Sequence, residues 1–478
     1  MLKHLRNYST STIVSSAITF LALPFFTRYL TPNDFGILGL YFIFGNITTS
    51  FLTIGLGLST TRAFYKNESS FNSLNSTNFV FIIIMLLIGG IIVWATSEKI
   101  AFYFFDNKIL PKIVMLSYIG GSLSRIFVYL HDLLIAQERS GSYSILALLS
   151  SVLNTLISIF LILTFSMTYD SRIFSDIIKN MFLITTLIYL QRKYFTIRLS
   201  KKTLKWSIKL SWPRIPQLIS GLIQQSFDKI ILSKYKDLSQ LGNYEIANKM
   251  SQICRAMIST VAKAWIPYFM KKSELRTDSA KTEIINRYQE VVMVFNSLAF
   301  VICLFCEDII ILMTTVEFYP SMFLVPAIIA TMLFTHTITT IAKPQILFNE
   351  KLQYMLPSSF ISVIANVLFN IILIPKYGAI GAVIALFLAS ILSNLILFYF
   401  AQKVYPLPYN YYFLIGQFFY FLGFLISIYN LMLVDYPLYI KLCFKLFLLI
   451  IYFYLAIKFT LIKKERLLLL WDNYRPIF

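Results

Sequence analysis

The sequence predicts an all-α polytopic membrane protein of about 14 transmembrane helices. Charged residues make up 13% of the 478, about half of the ~25% with which a soluble domain covers its surface. Mean hydropathy is +0.71, and 58% of residues are hydrophobic. Apolar runs of about 20 residues, each long enough for a ~30 Å hydrocarbon core, recur with short punctuating loops.

In chain order the runs lie at 9–30, 37–61, 78–96, 113–136, 143–167, 173–191 and 207–232, then 242–268, 288–306, 322–347, 355–375, 378–401, 409–432 and 438–461. The first is too long for a signal-peptide core and lacks a cleavage site, so it reads as a span. The sixth is the weakest, because Lys179 interrupts it. Stretches 100–105 and 309–316 each follow an acid, Glu98 in one case and Glu307 with Asp308 in the other. They are expected along the membrane surface, with Glu307 and Asp308 at an interfacial helix end.

The net charge of +20 does not build a soluble basic face, which argues against nucleic acid. Loop 192–209 carries Arg192, Lys193, Arg198, Lys201, Lys202, Lys205 and Lys209 with no acid. The next loop on that side holds Lys271, Lys272, Arg276, Lys281 and Arg287, and the tail adds Lys463, Lys464 and Arg466. Loops on the other side are poor in cations, so the basic side is expected to be cytoplasmic, with both termini there. Trp206, Trp212, Trp265 and Trp471 fall near that same interface. Cys303 and Cys306 form a CxxC inside an apolar helix, where cysteine behaves as a small hydrophobe, so redox or metal use is not expected. Loops of at most ~25 residues leave no room for an extramembrane catalytic domain. No GxxxxGK[ST] segment offers a nucleotide site.

The two halves resemble each other. Gly36, in the turn after the first span, matches Gly242, after the seventh, at an offset of 206. Glu138 matches Glu350 and Asn154 matches Asn366, both at 212. An offset of six helices preserves orientation, so the expectation is two six-helix pseudo-repeats around a central cavity. These are 1–205 and 206–402, with two additional helices and a tail at 403–478. Two halves that can rock about a central site are a transporter architecture.

Several spans carry polar residues at helical spacing. Arg214, Gln217, Gly221, Gln224 and Asp228 share one face of the seventh; Glu245, Lys249, Gln252, Arg255, Ser259 and Lys263 share one face of the eighth. The fourth has Gly121, Arg125 and Asp132 with His131 beside them; the tenth has Thr331, Thr335, Thr339 and Lys343 with His336. The first ends in Arg28, and the second has Asn46, Ser50 and Thr53. A cation at mid-bilayer costs at least ~2.5–3.5 kcal/mol, so these faces are expected to turn inward. The bland alternative is a helix-end anchor or a satisfied pair; Arg214 and Lys263 fit snorkelling as well as function, whereas Arg125 and Arg255 lie deep. His131 and His336 fit hydrogen-bonded structural roles better than proton sensing. Cations exceed acids, so the cavity is expected to be positive, with an anionic substrate. The candidate substrate-binding set is Arg28, Arg125, Arg214, Gln224, Asp228, Lys249, Gln252 and Arg255, with no catalytic or metal residue.

Residues 25–36, Phe-Phe-Thr-Arg-Tyr-Leu-Thr-Pro-Asn-Asp-Phe-Gly, resemble the start of the polysaccharide (O-antigen type) flippases of the multidrug/oligosaccharidyl-lipid/polysaccharide exporter superfamily. Their first helix typically ends in an arginine, followed by a Leu-(Ser/Thr)-Pro-x-x-(Phe/Tyr)-Gly turn. Residues 370–382 are similar to that family's Asn-x-x-x-Ile-Pro-x-x-Gly-x-x-Gly-Ala segment, and 241–247 to its entry into the eighth helix. The resemblance spans nearly the whole chain.

It implies a non-enzymatic flippase moving undecaprenyl-diphosphate-linked oligosaccharide units across the bacterial inner membrane by alternating access, in O-antigen and lipopolysaccharide synthesis. Without a nucleotide site, transport is expected to draw on an ion gradient, of H+ or Na+, or on the membrane potential, with no cofactor. Contacts with membrane lipid, a polysaccharide polymerase and a chain-length regulator are expected as well. Rival readings are a multidrug or organic-ion antiporter of the same superfamily and a polymerase of the same pathway. The first is expected to show buried carboxylates in excess, and the second a long external loop.

Overall fold

The computed structural model describes residues 2–53, 55–65, 71–105, 110–212, 215–434 and 436–458. Sixteen α-helices run through them. They are α1 (Leu2–Leu21), α2 (Leu23–Tyr29), α3 (Pro32–Leu52), α4 (Gly57–Tyr65), α5 (Phe71–Phe105), α6 (Pro111–Ala136), α7 (Ser140–Phe165) and α8 (Tyr169–Gln191). There follow α9 (Lys201–Ser211), α10 (Ile215–Tyr235), α11 (Leu238–Ser273), α12 (Asp278–Met313), α13 (Val325–Phe348), α14 (Leu356–Val404), α15 (Tyr411–Leu433) and α16 (Leu438–Lys458).

Among the described residues eleven stretches are long and apolar enough to cross a bilayer, and the all-α membrane class holds. The longest, residues 352–404, contains two of the expected spans: α14 breaks at Gly378, whose φ is +60°. The expected seventh and eighth spans exist as α10 and α11 but fall outside the eleven, because their polar faces dilute the apolar signal.

The chain condenses into two compact units. One holds residues 1–245 with 313–317, the other 246–312 with 318–478. The short segment 313–317 joins the first unit through Thr27, whose hydroxyl donates to the Met313 carbonyl (3.0 Å) and whose carbonyl accepts from the Thr315 hydroxyl (3.2 Å). Within the first unit, α1 packs on α7, α3 on α6 and α10, and α6 on α5 and α8. Within the second, α13 packs on α14 and α15.

The turn into α3 is built by its sequence. Thr31 caps the helix, Pro32 occupies its first turn, and Asp34 completes the box: its Oδ2 accepts from the Thr31 backbone (2.8 Å) while its own N–H donates to the Thr31 hydroxyl (3.3 Å). Two positions later, Gly36 lies so close to the chain that a Cβ there would sit 2.1 Å from the Leu238 carbonyl oxygen. Reciprocally, a Cβ on Gly242 would meet the Pro32 carbonyl oxygen at 1.8 Å. Residues 32 and 36 are equivalent to 238 and 242 at the 206-residue offset. The two turns therefore lie directly against each other. A Cβ on Gly39 would likewise sit 3.2 Å from the side chain of Glu245, its equivalent at the same offset.

Two expectations are corrected. Residues 100–105 and 309–313 are not separate surface segments but the last turns of the 35-residue α5 and the 36-residue α12. Glu307 is no interfacial helix end: it is 2% exposed and paired with two lysines of α16, Lys441 (2.7 Å) and Lys445 (2.9 Å). Lys445 also reaches Asp308 at 2.7 Å. A carboxylate can be buried here because partners 134 and 138 residues away bring the opposite charge with them. Lys179, which made the sixth span look weak, is matched within α8 by Asp176 at 2.6 Å.

Candidate functional site

The membrane-embedded charges sort into two groups, those neutralised by a nearby opposite charge and those that are not. The first group holds the structure together. In the first unit, Asp176 pairs with Lys179, lies in electrostatic reach of Arg172, and accepts from the Tyr41 hydroxyl at 3.5 Å. Arg172 stands over the Phe26 ring at 4.5 Å, a cation–π contact that ties α8 to α2. Between α10 and the start of α11, Lys229 pairs with Glu245 at 2.6 Å. Asp228 is buried beside that pair and accepts from the Tyr244 hydroxyl (2.6 Å) and the Lys229 N–H (2.9 Å). In the second unit, Glu307 and Asp308 face Lys441 and Lys445.

Among the described residues the second group holds Asp34 and Asp132, which have no cationic partner, and the cations Arg125, Arg255 and Lys343. Arg125, half-buried on α6, directs its guanidinium to a neutral amide, with Nη2 3.1 Å from Asn46 Oδ1 and 3.5 Å from the Asn46 carbonyl. The geometry follows from a close helix crossing one turn away. Gly121 of α6 rests on the Gly45 backbone of α3, with 2.5 Å between its would-be Cβ and the Gly45 oxygen, which brings Arg125 over the residue after Gly45. In the second unit, α11 buries Met250, Ser251, Cys254 and Ile258 and leaves Gln252 and Arg255 exposed on the opposite side. Arg255 and Lys343 both act electrostatically on His336 of α13. Neither Arg255 nor Lys343 forms an ion pair among the described residues, and both are exposed rather than buried in packing. Three basic side chains therefore share one region of the second unit.

The candidate residues thus fall in different settings. Arg28 is exposed in the last turn of α2. Gln224 is half-buried on α10, and Lys249 half-buried on α11. Arg214 lies outside the described residues, as do the tail cations and Trp471. Of the two histidines, His131 is structural: it stacks between Tyr143 (3.9 Å) and Phe127 (5.0 Å), and Nε2 meets the Tyr143 carbonyl at 3.0 Å. Trp265 is a core residue, packed with Phe269 and Tyr288. Asn46 and Lys343 were visible as stripe members but not as site residues, since their relation to Arg125 and His336 exists only across helices.

Comparison with known proteins places this geometry. The profile of the family described as "Polysaccharide biosynthesis protein" matches residues 2–273, more than half of the chain. An uncharacterized membrane protein of Haemophilus influenzae is 25% identical over 289 residues, 59% of this chain and 67% of that protein. Among solved structures, the lipid II flippase MurJ in an inward closed conformation superposes with a TM-score of 0.72 at 15% identity, covering 95% of this chain and 98% of MurJ. An inward-facing multidrug resistance MATE family transporter of the MOP superfamily gives 0.61 at 14% identity, over 81% of this chain and 94% of that one. The fold is the one these membrane proteins share, in agreement with the resemblance carried by residues 25–36 and 370–382.

Proposed function

The chain belongs to the polysaccharide biosynthesis protein family, and from that premise we propose that it is a flippase for lipid-linked oligosaccharide. Its cargo is a repeat unit on undecaprenyl diphosphate, carried across the bacterial cytoplasmic membrane toward the outer leaflet. The observation that carries this reading is the sorting of charge. Lys179, Lys229, Lys441 and Lys445 are each matched by a carboxylate, whereas Arg125 rests on an amide and Arg255 and Lys343 have no acidic partner among the described residues. Unmatched cations in a membrane are costly unless an anion visits them. A diphosphate is such an anion, and a guanidinium can hold it through two parallel hydrogen bonds. An exporter of organic cations needs the reverse, carboxylates left unmatched; here the buried Asp176 and Glu307 are paired with lysines, while Asp34 and Asp228 are held by hydrogen-bond donors.

In this reading transport runs by alternating access, and Arg125 of the first unit and Arg255 of the second are each a contact for the diphosphate. Lys249, Gln252 and Gln224 line its path, Arg28 gates the outer side, and Asp228 balances charge when the site is empty. Helices in 403–478 shelter the lipid tail. The drive is an H+ or Na+ gradient or the membrane potential. The basic loops and both termini lie in the cytoplasm, and polymerase and chain-length regulator work alongside. Arg125→Ala and Arg255→Ala are each expected to abolish surface polysaccharide, measured by gel and lectin staining, with the protein present at its normal level. Lysine at either position restores part of it. Normal polysaccharide in both alanine variants overturns the assignment of these two residues.

A further inference from the structure

Between α8 and α10 the chain runs in water-facing sequence for some twenty residues, and a connector of that kind between two bundles is usually slack. Here it is tied down. The polar run at the start of α5 holds the stretch before α9 through five hydrogen bonds. Asn72 and Asn75 donate to the carbonyls of Lys193 (3.1 Å) and Tyr194 (3.0 Å), and Ser73 to that of Arg198 (2.9 Å). Ser76 and Thr77 accept from the N–H groups of Thr196 (2.7 Å) and Ser200 (3.1 Å). Ser200 then caps α9, and Trp206 packs against the core of the first unit.

The face that α9 turns away from this anchorage is of mixed character. Lys201, Lys205 and Lys209 form one row at four-residue spacing, and Leu204, Ile208 and Trp212 form the adjacent row; together they line an open groove of about 490 Å³. The seven cations from Arg192 to Lys209 are all exposed, and none is in an ion pair among the described residues. Interleaved with them are bare apolar side chains: Ile197 is 98% exposed and Trp212 64%.

Such a surface excludes two kinds of partner. A soluble polyanion leaves Ile197, Leu199 and Trp212 in water, and an uncharged lipid surface leaves seven cations unmatched. An anionic bilayer surface satisfies both, with the apolar tips among the acyl chains and the ammonium groups at the phosphates. We propose that α9 and the extended segment before it form a binding site for acidic phospholipid headgroups, held rigidly to the first unit by the start of α5. The lysine row takes the phosphates and Trp212 inserts beside them. Acidic lipid thus docks on the segment between α8 and α10 of the first unit, whatever cargo the protein carries.

The test uses the full-length protein in vesicles of phosphatidylcholine with about 20% phosphatidylglycerol, one lipid or the other brominated on its acyl chains. Trp212 emission is isolated as the difference between wild type and Trp212→Phe. Brominated phosphatidylglycerol is expected to quench it about twofold or more beyond the amount set by its share of the bilayer. That excess should vanish in Lys201→Gln/Lys205→Gln/Lys209→Gln, a variant of exposed residues, and shrink in high salt. Inorganic phosphate at millimolar concentration should leave it unchanged, which separates a lipid site from a free-phosphate site. Quenching in proportion to bilayer composition, or an excess that survives the triple substitution, overturns the proposal.

Discussion

Arg125 and Asn46 make the sharpest case at the scale of single residues. The guanidinium is held by an amide oxygen at 3.1 Å, so its orientation is set while its charge stays uncompensated. Asn46→Asp keeps the shape and adds the missing charge. That variant is expected to fold and accumulate normally yet lose transport by about tenfold or more, because the cation now has a resident partner that a phosphate must displace. Surface polysaccharide measured against protein level checks this. Undiminished polysaccharide would mean that Arg125 acts only as a strut. His131 shows the opposite outcome, a titratable group absorbed by two ring stacks and one carbonyl.

Among the helices, α12 and α16 are joined by charge. Lys445 is 1% exposed and serves both Glu307 and Asp308, while Lys441 serves Glu307 from one turn earlier. Lys445→Met removes the shared cation and strands carboxylate charge in an apolar setting, at a cost of about 3–5 kcal/mol. The thermal midpoint of the detergent-solubilised protein is expected to fall by several degrees. Replacing all four groups by neutral residues, Glu307→Gln, Asp308→Asn, Lys441→Gln and Lys445→Met, should recover most of that loss, because no charge is then left alone. A quadruple variant less stable than Lys445→Met alone would refute the pairing argument.

For the whole molecule the question is the sign of the cargo. Deleting the gene is expected to leave a lipid-linked glycan on the inner leaflet, detected by mass spectrometry of extracted lipids, and to leave resistance to cationic drugs unchanged. The reverse pattern, a drug-sensitive strain with normal surface glycan, would return the chain to the multidrug reading.

Much of this protein is written along the chain. The all-α membrane class followed from hydropathy and from a charged fraction of 13%, because a lipid-facing surface needs few charges. The turn at residues 31–36 and the break before Gly378 were legible for the same local reason: a cap, a proline and a glycine act within a few residues of themselves. Arg125 and Arg255 could be singled out because cations at that depth are rare. What stayed hidden was which charges cancel. Lys179 looked like a flaw in its span although Asp176 stands one turn away, and Glu307 looked interfacial although its partners lie on α16. Neutralisation depends on distances between helices, and only the tertiary structure brings residues 307 and 445 within 2.9 Å. With those charges paired, Arg125, Arg255 and Lys343 stand among the described residues without a carboxylate partner, and the proposed anionic cargo rests on that contrast.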